Sequence, residues 1–259
     1  MIKVVDLVQH YGVRPVLRDI NIEIAEGEVV ALMGPNGMGK STLLAAMAGV
    51  LWPQKGYIEI DGKRRRQTVD DELAIRKKVV YLPDHPWLPK FNTAREFLLS
   101  VGRLYSIEPT RLMEHVQRLL TLFDLDANGD QAIDGLSNGQ KKKVAIASAL
   151  VTEAPIMLLD EPFSGGLDPA GMFALKAVMK QLRDRSDVTV VMATPVPEIV
   201  EGLADRVIIL RNGELVAFDT PDGLRKLANV TGPLEEVLEH LIDPKGAENI
   251  SQYLESRKK

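Results

Sequence analysis

The chain has 259 residues, 45% hydrophobic and 26% charged, which is the composition of an ordinary globular protein and excludes a disordered or fibrous one. Its net charge of -4 gives no reason to expect a nucleic-acid partner, and the lack of cysteine excludes disulfides and cysteine-bound metals and favours the cytosol. No apolar run is long enough to cross a bilayer and no signal peptide is recognisable, so we expect a chain that is soluble by itself.

The N-terminal part of the sequence predicts short strands around a glycine-rich loop. Apolar residues alternate over 1–11 and 16–24, and EGEVVALM is typical of a buried strand that leads into the loop. A core helix is predicted directly after the loop, over LLAAMAGV. Two more strands are predicted over 57–63, which ends in an Asp-Gly turn, and over 77–83. The basic runs GKRRR and RKK in this part are interpreted as a solvated loop or helix face.

Helical periodicity replaces the strand pattern between residues 93 and 153, where three helices are predicted with no intervening strand. Strand, helix and strand then alternate, which predicts a parallel α/β sheet. An Asn-Gly signal predicts a hairpin over 206–219, followed by a polar helical tail. The predicted domains are an α/β core at 1–84 and 156–220, an inserted helical subdomain at 85–155 and a tail at 221–259.

The sequence GPNGMGKST predicts a phosphate-binding loop. Its glycines allow a tight turn whose backbone N–H groups point inward, and the following helix adds the positive end of its dipole. Lys40 can reach the β- and γ-phosphates, and the hydroxyl of Ser41 is placed to bind Mg²⁺. The order strand, loop, helix favours this interpretation over a glycine-rich turn without function. The predicted nucleotide-binding residues are Gly34, Pro35, Asn36, Gly37, Met38, Gly39, Lys40, Ser41 and Thr42.

Two carboxylates end the apolar strand IMLLDEP, where a parallel sheet presents its ligand crevice. Asp160 is predicted to hold Mg²⁺, directly or through water, and Glu161 to orient or deprotonate an attacking water. An acidic helix N-cap is the alternative, and it is favoured only when this segment is considered alone. The catalytic candidates are therefore Glu161 and Lys40, and the metal ligands Ser41 and Asp160.

A second helix N-terminus is predicted at LSNGQ, residues 136–140. Ser137 has N-cap chemistry and Gly139 permits close backbone approach, so this helix start can receive an anion. One phosphate loop leaves the far side of a γ-phosphate open, and such a helix end from another chain would close it. Taken alone, LSNGQ indicates only a helix start. Its place just before IMLLDEP gives it more weight, and the resemblance described next implies that Ser137, Asn138, Gly139 and Gln140 contact the nucleotide.

These motifs together resemble the nucleotide-binding subunit of ABC transporters, over nearly the whole chain. Residues 34–41 match the Walker A motif, 156–162 the Walker B motif, and 136–140 the family signature, usually written LSGGQ. The resemblance implies that Tyr11 stacks on adenine and that Asp168, in SGGLDP, joins two nucleotide sites. It also implies an α/β fold, a P-loop NTPase core with an antiparallel β subdomain and an inserted α-helical subdomain, that binds ATP and Mg²⁺.

The resemblance further implies protein partners. Two such subunits meet head to tail, so that the signature of one covers ATP in the Walker A motif of the other, and the second subunit is a like or an unlike chain. A polytopic membrane permease is the other partner, which implies a cytoplasmic location at the inner face of the membrane. Trp87, Leu88 and Phe91 are candidates for the permease-binding groove or for ordinary packing. The C-terminal segments resemble export-type subunits, so export is expected over import.

Two positions depart from the family pattern. Asp84 follows YLP where the family has Gln. A carboxylate can bind Mg²⁺ but cannot donate a hydrogen bond as an amide does. An equal alternative is that Asp84 is only a polar residue at the end of a strand. Pro195 stands where the family has a His that contacts the γ-phosphate, and proline has neither a side-chain donor nor an N–H. The alternative is that Pro195 only shapes the turn and that another group, or none, covers the phosphate. We expect an ATPase that is competent but slowed.

Two other functions are considered. A soluble ABC-type ATPase acting on DNA or the ribosome is disfavoured, because such relatives carry two cassettes or long coiled coils, and this sequence shows one cassette and no heptad run. An ATP-gated dimerisation switch with little turnover is compatible with Pro195. Measurement of ATP hydrolysis with and without a membrane partner separates this switch from a transporter subunit.

Overall fold

The structure is a computed structural model that describes residues 1–242. Within these residues ten strands form two sheets. The strands are β1 (Ile2–Tyr11), β2 (Arg14–Ile24), β3 (Val29–Met33), β4 (Lys55–Ile60), β5 (Lys63–Arg64), β6 (Val79–Leu82), β7 (Ile156–Asp160), β8 (Thr189–Ala193), β9 (Arg206–Arg211) and β10 (Glu214–Asp219).

Helices connect and cover these strands. In the described part of the chain they are α1 (Lys40–Met47), α2 (Val69–Arg76), α3 (Ala94–Leu104), α4 (Pro109–Leu122), α5 (Asn138–Leu150), α6 (Pro169–Arg185), α7 (Pro197–Leu203), α8 (Pro221–Ala228) and α9 (Leu234–Ile242).

Six strands form the central sheet, in the order β10-β9-β3-β8-β7-β6. Strands β9, β3, β8, β7 and β6 run parallel, and β10 pairs antiparallel at one edge. Every residue of β3, β7 and β8 is buried, as expected for parallel strands that are covered on both faces. Because parallel strands end at the same edge, the residues that follow β3, β6, β7 and β8 are brought together there.

The second sheet has four antiparallel strands in the order β2-β1-β4-β5. Its inward side chains, among them Ile2 and Ile20, share a hydrophobic cluster with Leu43 of α1 and Leu32 of β3. The neighbouring β3 residue Ala31 belongs to another cluster on the opposite face of the central sheet, because successive side chains of a strand alternate. The helix that follows the phosphate loop is thus fixed against β-structure by its own apolar residues.

The helical insertion packs on the opposite face of the central sheet. Leu98 of α3, Val116 of α4 and Val144 of α5 are fully buried in the same cluster as Ala31 and Leu159 of the sheet. Helices and sheet therefore share one continuous core. The α/β class, the antiparallel sheet and the helical insertion are confirmed, whereas the boundaries at 84/85 and 155/156 stay a prediction.

Two helices were not predicted. Helix α2 begins at Thr68, whose hydroxyl accepts a hydrogen bond of 3.0 Å from the N–H of Asp71, and three acidic residues occupy its first turn. Helix α7 begins with Pro197 and has only seven residues. Each helix spans two turns or so, too short for apolar periodicity to be recognised. The N-cap residue of α2 was the feature of the sequence from which this helix could have been predicted.

The GKRRR run is not wholly solvated, which corrects the interpretation of it as a solvated loop. The side chain of Arg65 is 6% exposed, and its guanidinium donates to the carbonyl of Met47 at 2.7 Å and to Glu72 at 3.0 Å. Burial lowers the pKa of Arg65, and Glu72 opposes that effect. The arginine is tolerated inside because it is paired and hydrogen-bonded.

The predicted C-terminal tail is helical as far as it is described, through α8 and α9. The remainder of the predicted tail, residues 243–259, lies outside the described residues. Among residues 1–242, no helix combines the length and the apolar character that crossing a membrane requires.

Candidate active site

The phosphate-loop prediction matches the backbone between β3 and α1. Gly34, Gly37 and Gly39 have φ of 146, 78 and 100, which residues with a side chain rarely adopt. A side-chain carbon at Gly34 would lie 2.2 Å from the carbonyl oxygen of Leu210, and one at Gly39 would lie 2.8 Å from that of Val16. Glycine is therefore required at both positions by conformation and by space.

Lys40 begins α1 and bends back over the loop. Its ammonium donates to the carbonyl oxygens of Gly34 at 2.7 Å and Pro35 at 3.1 Å. Burial lowers the pKa of Lys40, and the nearby carboxylates Glu161 and Asp160 oppose this effect. The arrangement holds a cation at the mouth of the loop, where the phosphates of a nucleotide would carry negative charge.

Asp160 is the last residue of β7 and is 2% exposed. Its Oδ1 is buried without a hydrogen-bond partner among the described residues. Burial raises the pKa of Asp160; Asp84 and Glu161 raise it further, whereas the hydroxyl of Ser41 and the ammonium of Lys40 lower it. An orphaned carboxylate oxygen beside a serine hydroxyl fits Mg²⁺, which is usually held by one or two carboxylates together with phosphates and water. The predicted ligands Ser41 and Asp160 are thus compatible with the metal.

Glu161 follows directly in a strained conformation, with φ of 48. Its N–H donates at 2.9 Å to the carbonyl of Ala193, at the end of the neighbouring strand β8. A residue other than glycine in this region costs energy and is commonly found at functional sites. This backbone conformation turns the chain immediately after the sheet, so that Glu161 lines the cavity described next.

A cavity of about 610 Å³ is lined by half of the predicted residues. Tyr11, at the end of β1, is 56% exposed on its wall, as a stacking surface for a base requires. Arg14 and Val16 also line it and were not predicted, because they lie in a strand with no motif. Met38 instead turns away, since its sulfur lies 3.2 Å from the N–H of Asn212. The predicted residues that line the cavity are Tyr11, Asn36, Gly37, Gly39, Lys40, Ser41, Thr42, Asp84 and Glu161.

The LSNGQ segment lines a different groove, of about 580 Å³. Ser137 caps α5: its hydroxyl accepts from the N–H of Gln140 at 3.2 Å, and the Gln140 side chain accepts from the N–H of Ser137 at 2.9 Å. Asn138 is exposed as the first residue of the helix. Asp168 lies across the groove, where it caps α6 and binds Lys143 at 2.8 Å. The fold therefore does not bring the signature residues to the phosphate loop of the same chain.

Comparison with known proteins agrees with this geometry. A family model described as "ABC transporter" matches residues 17–164. The chain belongs to the ABC transporter family. It is 32% identical over 83% of its length to the uncharacterized ABC transporter ATP-binding protein YxlF of Bacillus subtilis. It is 34% identical over 91% of its length to the sulfate/thiosulfate import ATP-binding protein CysA of a Synechocystis species. It spans 69% and 61% of those two relatives.

Further similar proteins include a cobalt import ATP-binding protein, CbiO of Salmonella typhimurium, 34% identical over 85% of this chain and 81% of that protein. Among solved structures, an ATP-binding subunit of an ABC transporter superposes with a TM-score of 0.85 at 30% identity, over 93% of this chain and 99% of that one. A dimeric ATP-binding cassette bound to ADP and Pi superposes with a TM-score of 0.76 at 29% identity, over 85% and 98%. The chain is accordingly an ABC-type ATP-binding ATPase cassette with the P-loop NTPase fold.

Asp84 lies on the cavity of this ABC cassette; the exposed ring of His85 is 3.6 Å from its Oδ2, and a buried lysine of the signature helix also approaches it. The Lys142 ammonium is 3.4 Å from the carbonyl oxygen of Asp84 and 3.8 Å from its Oδ1. Among the described residues no three acidic or histidine side chains converge as a metal site, and the metal-ligand role of Asp84 beside Ser41 and Asp160 stays a prediction. Lys142 was missed because a lysine within a KKK run gives no sign of burial.

Tyr81 of β6 is a second neighbour of the cavity that the sequence did not single out. Burial raises its pKa to about 12, and the charges of Asp160 and Asp84 contribute to the increase. Its phenol therefore stays protonated at neutral pH and carries no additional negative charge toward the phosphates.

Pro195 is exposed just after β8 and does not line the cavity. The turn around it is closed by the N–H of Val196, which donates to the hydroxyl of Thr194 at 3.3 Å. The observed contacts agree with a role in shaping the turn. Its effect on hydrolysis stays a prediction.

Proposed function

We propose that this chain is the energising subunit of a membrane transporter, and that it binds and hydrolyses MgATP between two cassettes. One observation carries the proposal. The phosphate loop and Glu161 line one cavity, with Asp160 next to Glu161 at the end of β7, and the signature of the same chain lines a second, separate cavity. Each cavity has half of the groups that would surround a triphosphate, so a second chain completes each site.

The chemistry follows from the residues of the first cavity. Loop N–H groups and Lys40 bind the phosphates, and Tyr11 offers a ring to the base. Ser41 and Asp160 would hold Mg²⁺, which when bound neutralises charge on the phosphate oxygens. Glu161 then accepts the proton of the attacking water, for which its place beside Asp160 at the end of the sheet is suitable.

The second chain would supply the positive end of α5. Its Ser137 and Gly139 present an N-terminal helix turn toward the γ-phosphate that is held by the first chain. Binding of ATP would therefore join two cassettes, and hydrolysis would release them. The likeness to a solved dimeric cassette bound to ADP and Pi supports this arrangement.

A polytopic permease is the proposed membrane partner, which would hold the chain at the cytoplasmic face. Trp87 and Phe91, between β6 and α3, are 81% and 93% exposed, whereas Leu88 packs against the core. Two exposed aromatic side chains in the segment that follows Asp84 are suited to contact with an apolar partner. The expected export direction has no support from the relatives, which include proteins named for sulfate/thiosulfate and cobalt import. The proposal therefore covers transport in either direction.

An ATP-gated dimerisation switch is the second candidate, and Pro195 is the observation that favours it. Proline provides no donor for a γ-phosphate. Such a switch would bind ATP and pair with another chain as the transporter subunit does, but its turnover would be negligible with or without a permease.

Replacement of Glu161 by Gln tests the proposal. The amide cannot accept the proton, so steady-state ATP hydrolysis should fall by about a hundredfold or more, while ATP-dependent dimers accumulate. Sedimentation velocity and phosphate release measure the two effects on the same preparation. Unaltered turnover in the Gln variant would contradict the role of Glu161, and a parent chain without turnover would favour the switch.

A further inference from the structure

Lys142 is the least expected charged group near the active site. It lies on the second turn of α5, and its side chain is only 5% exposed. Its ammonium reaches away from the signature groove to Asp84, at 3.4 Å from the carbonyl oxygen and 3.8 Å from Oδ1. A side-chain carbon at Gly165 would lie 3.6 Å from the same ammonium. Lys142 thus contacts the turn after β6 and lies beside the loop that follows Glu161.

The electrostatic environment explains why a buried lysine is tolerated there. Burial lowers the pKa of Lys142, whereas Asp84, Glu161 and Asp160 all oppose that effect. Lys40 is a second ammonium near two of these carboxylates, Glu161 and Asp160. Without Lys142, Asp84 would add a negative charge with no lysine beside it to a cavity built for a triphosphate. The negative charge of Asp84 is therefore compensated from inside the protein.

We propose that the buried ammonium of Lys142 and the partly exposed carboxylate of Asp84 form an ion pair that sets the charge and position of the cavity wall at the γ-phosphate end, and that ties the signature helix to it. Lys142 is a positioning residue, because it acts through Asp84 and has no place in the cavity lining. The pair replaces the metal-ligand role considered for Asp84: its carboxylate neutralises Lys142. The inference rests on the proposed function, since it concerns the same nucleotide site.

The pair gives opposite expectations for its two single variants. Lys142→Gln leaves Asp84 without its lysine partner beside the phosphates, so the dissociation constant for nucleotide should rise roughly five- to tenfold. Asp84→Asn frees the ammonium to move toward Glu161, so nucleotide binding should tighten or stay unchanged while kcat falls roughly five- to tenfold. The double variant Asp84→Asn/Lys142→Gln removes both charges and should return both quantities to within about threefold of the parent.

The experiment is a double-mutant cycle on the full chain with trinitrophenyl-ATP and Mg²⁺ as the binding probe and phosphate release for kcat. Lys141→Gln is the matched control, because that neighbouring lysine donates to the carbonyl of Asp134 instead and should leave both quantities unchanged. If Lys142→Gln does not fold, the double variant is compared with Asp84→Asn alone. Both of these variants carry an uncharged Asn at position 84.

A dissociation constant that is raised by Lys142→Gln and not raised by Asp84→Asn, with rescue in the double variant, supports the pair. A merely structural role would weaken binding in both single variants, and independent roles would give a double variant equal to the product of the singles; either result would overturn the proposal. The binding arm does not need turnover. A chain that binds the probe but hydrolyses nothing would therefore contradict the proposed ATPase while the ion pair is still tested.

Discussion

An acidic residue at position 138 is expected to prevent pairing of two cassettes without harming either one. Asn138 is the exposed first residue of α5, directly after the Ser137 cap. A carboxylate in the first turn of a helix is favourable to that helix by about 0.3–1 kcal/mol, because it lies at the positive end of the dipole. The Asn138→Asp monomer should thus be at least as stable as the parent. The same charge, however, opposes the γ-phosphate that this helix end would receive from the second chain.

The size of the effect follows from the charges involved. The helix end carries the equivalent of about half a positive charge, and a full negative charge reverses its sign. A loss of about 1–2 kcal/mol at each site amounts to about 2–4 kcal/mol in a symmetric pair with two sites. That corresponds to a roughly thirty- to thousand-fold weaker dimer.

Sedimentation velocity with MgATP measures this effect in the Glu161→Gln background, which holds the pair together. Asn138→Gln is the control, because it changes the same exposed side chain without adding charge. The Asp variant should remain monomeric at concentrations where the Gln variant dimerises, and its thermal midpoint should not fall. Equal dimerisation of the two variants would refute the assignment of α5 to the second half of the site.

Three further changes test individual groups. Pro195→His should raise steady-state ATP hydrolysis, because one transition-state contact is commonly worth about a hundred- to thousandfold; no change, or a fall, would show that Pro195 does not limit turnover. Asp160→Asn should raise the thermal midpoint in Mg²⁺-free solution, because burial raises the pKa of Asp160 and its ionised form therefore opposes folding above the unfolded-state pKa. The difference from the parent should vanish in acid, and a lower midpoint at neutral pH would contradict it. Asp168→Asn keeps an N-cap but loses the pair with Lys143, whose hydrogen bond lowers the pKa of Asp168. The free energy of unfolding in urea should be lower for the variant than for the parent at neutral pH, and this difference should be lost as pH falls through the lowered pKa of the Asp168 carboxyl. A difference that persists in acid would show that the loss of stability does not come from the charge.

The loop, the carboxylates and the signature were predictable because each is a local pattern whose backbone needs are written in its own residues. Gly34 and Gly39 are required by positive φ and by close contacts, and the Ser137–Gln140 capping box closes within four residues. The meeting of the loop and the carboxylates at one sheet edge followed from strand order, whereas the signature lies in a separate groove. Local chemistry and parallel topology therefore account for most of the site.

The unpredicted parts depend on packing between segments far apart in sequence. Lys141, Lys142 and Lys143 are adjacent, yet their ammonium groups lie beside Asp134, Asp84 and Asp168 respectively. Successive residues of a helix point in different directions, and only the surrounding fold decides which of them is buried. The same holds for Arg65, whose partner Glu72 belongs to a helix that the sequence pattern did not reveal.

The division of the active site between two chains is tested most directly by a disulfide between them. The sequence contains no cysteine, so Asn36→Cys in one preparation and Asn138→Cys in another give single thiols at the phosphate loop and at the signature, both exposed. Both changes are made in the Glu161→Gln chain, and oxidation is followed on non-reducing gels. We predict an ATP-dependent covalent dimer when the two preparations are mixed, and little when Asn36→Cys is oxidised alone. Failure of the mixture to cross-link in the presence of ATP would contradict a site shared between two cassettes.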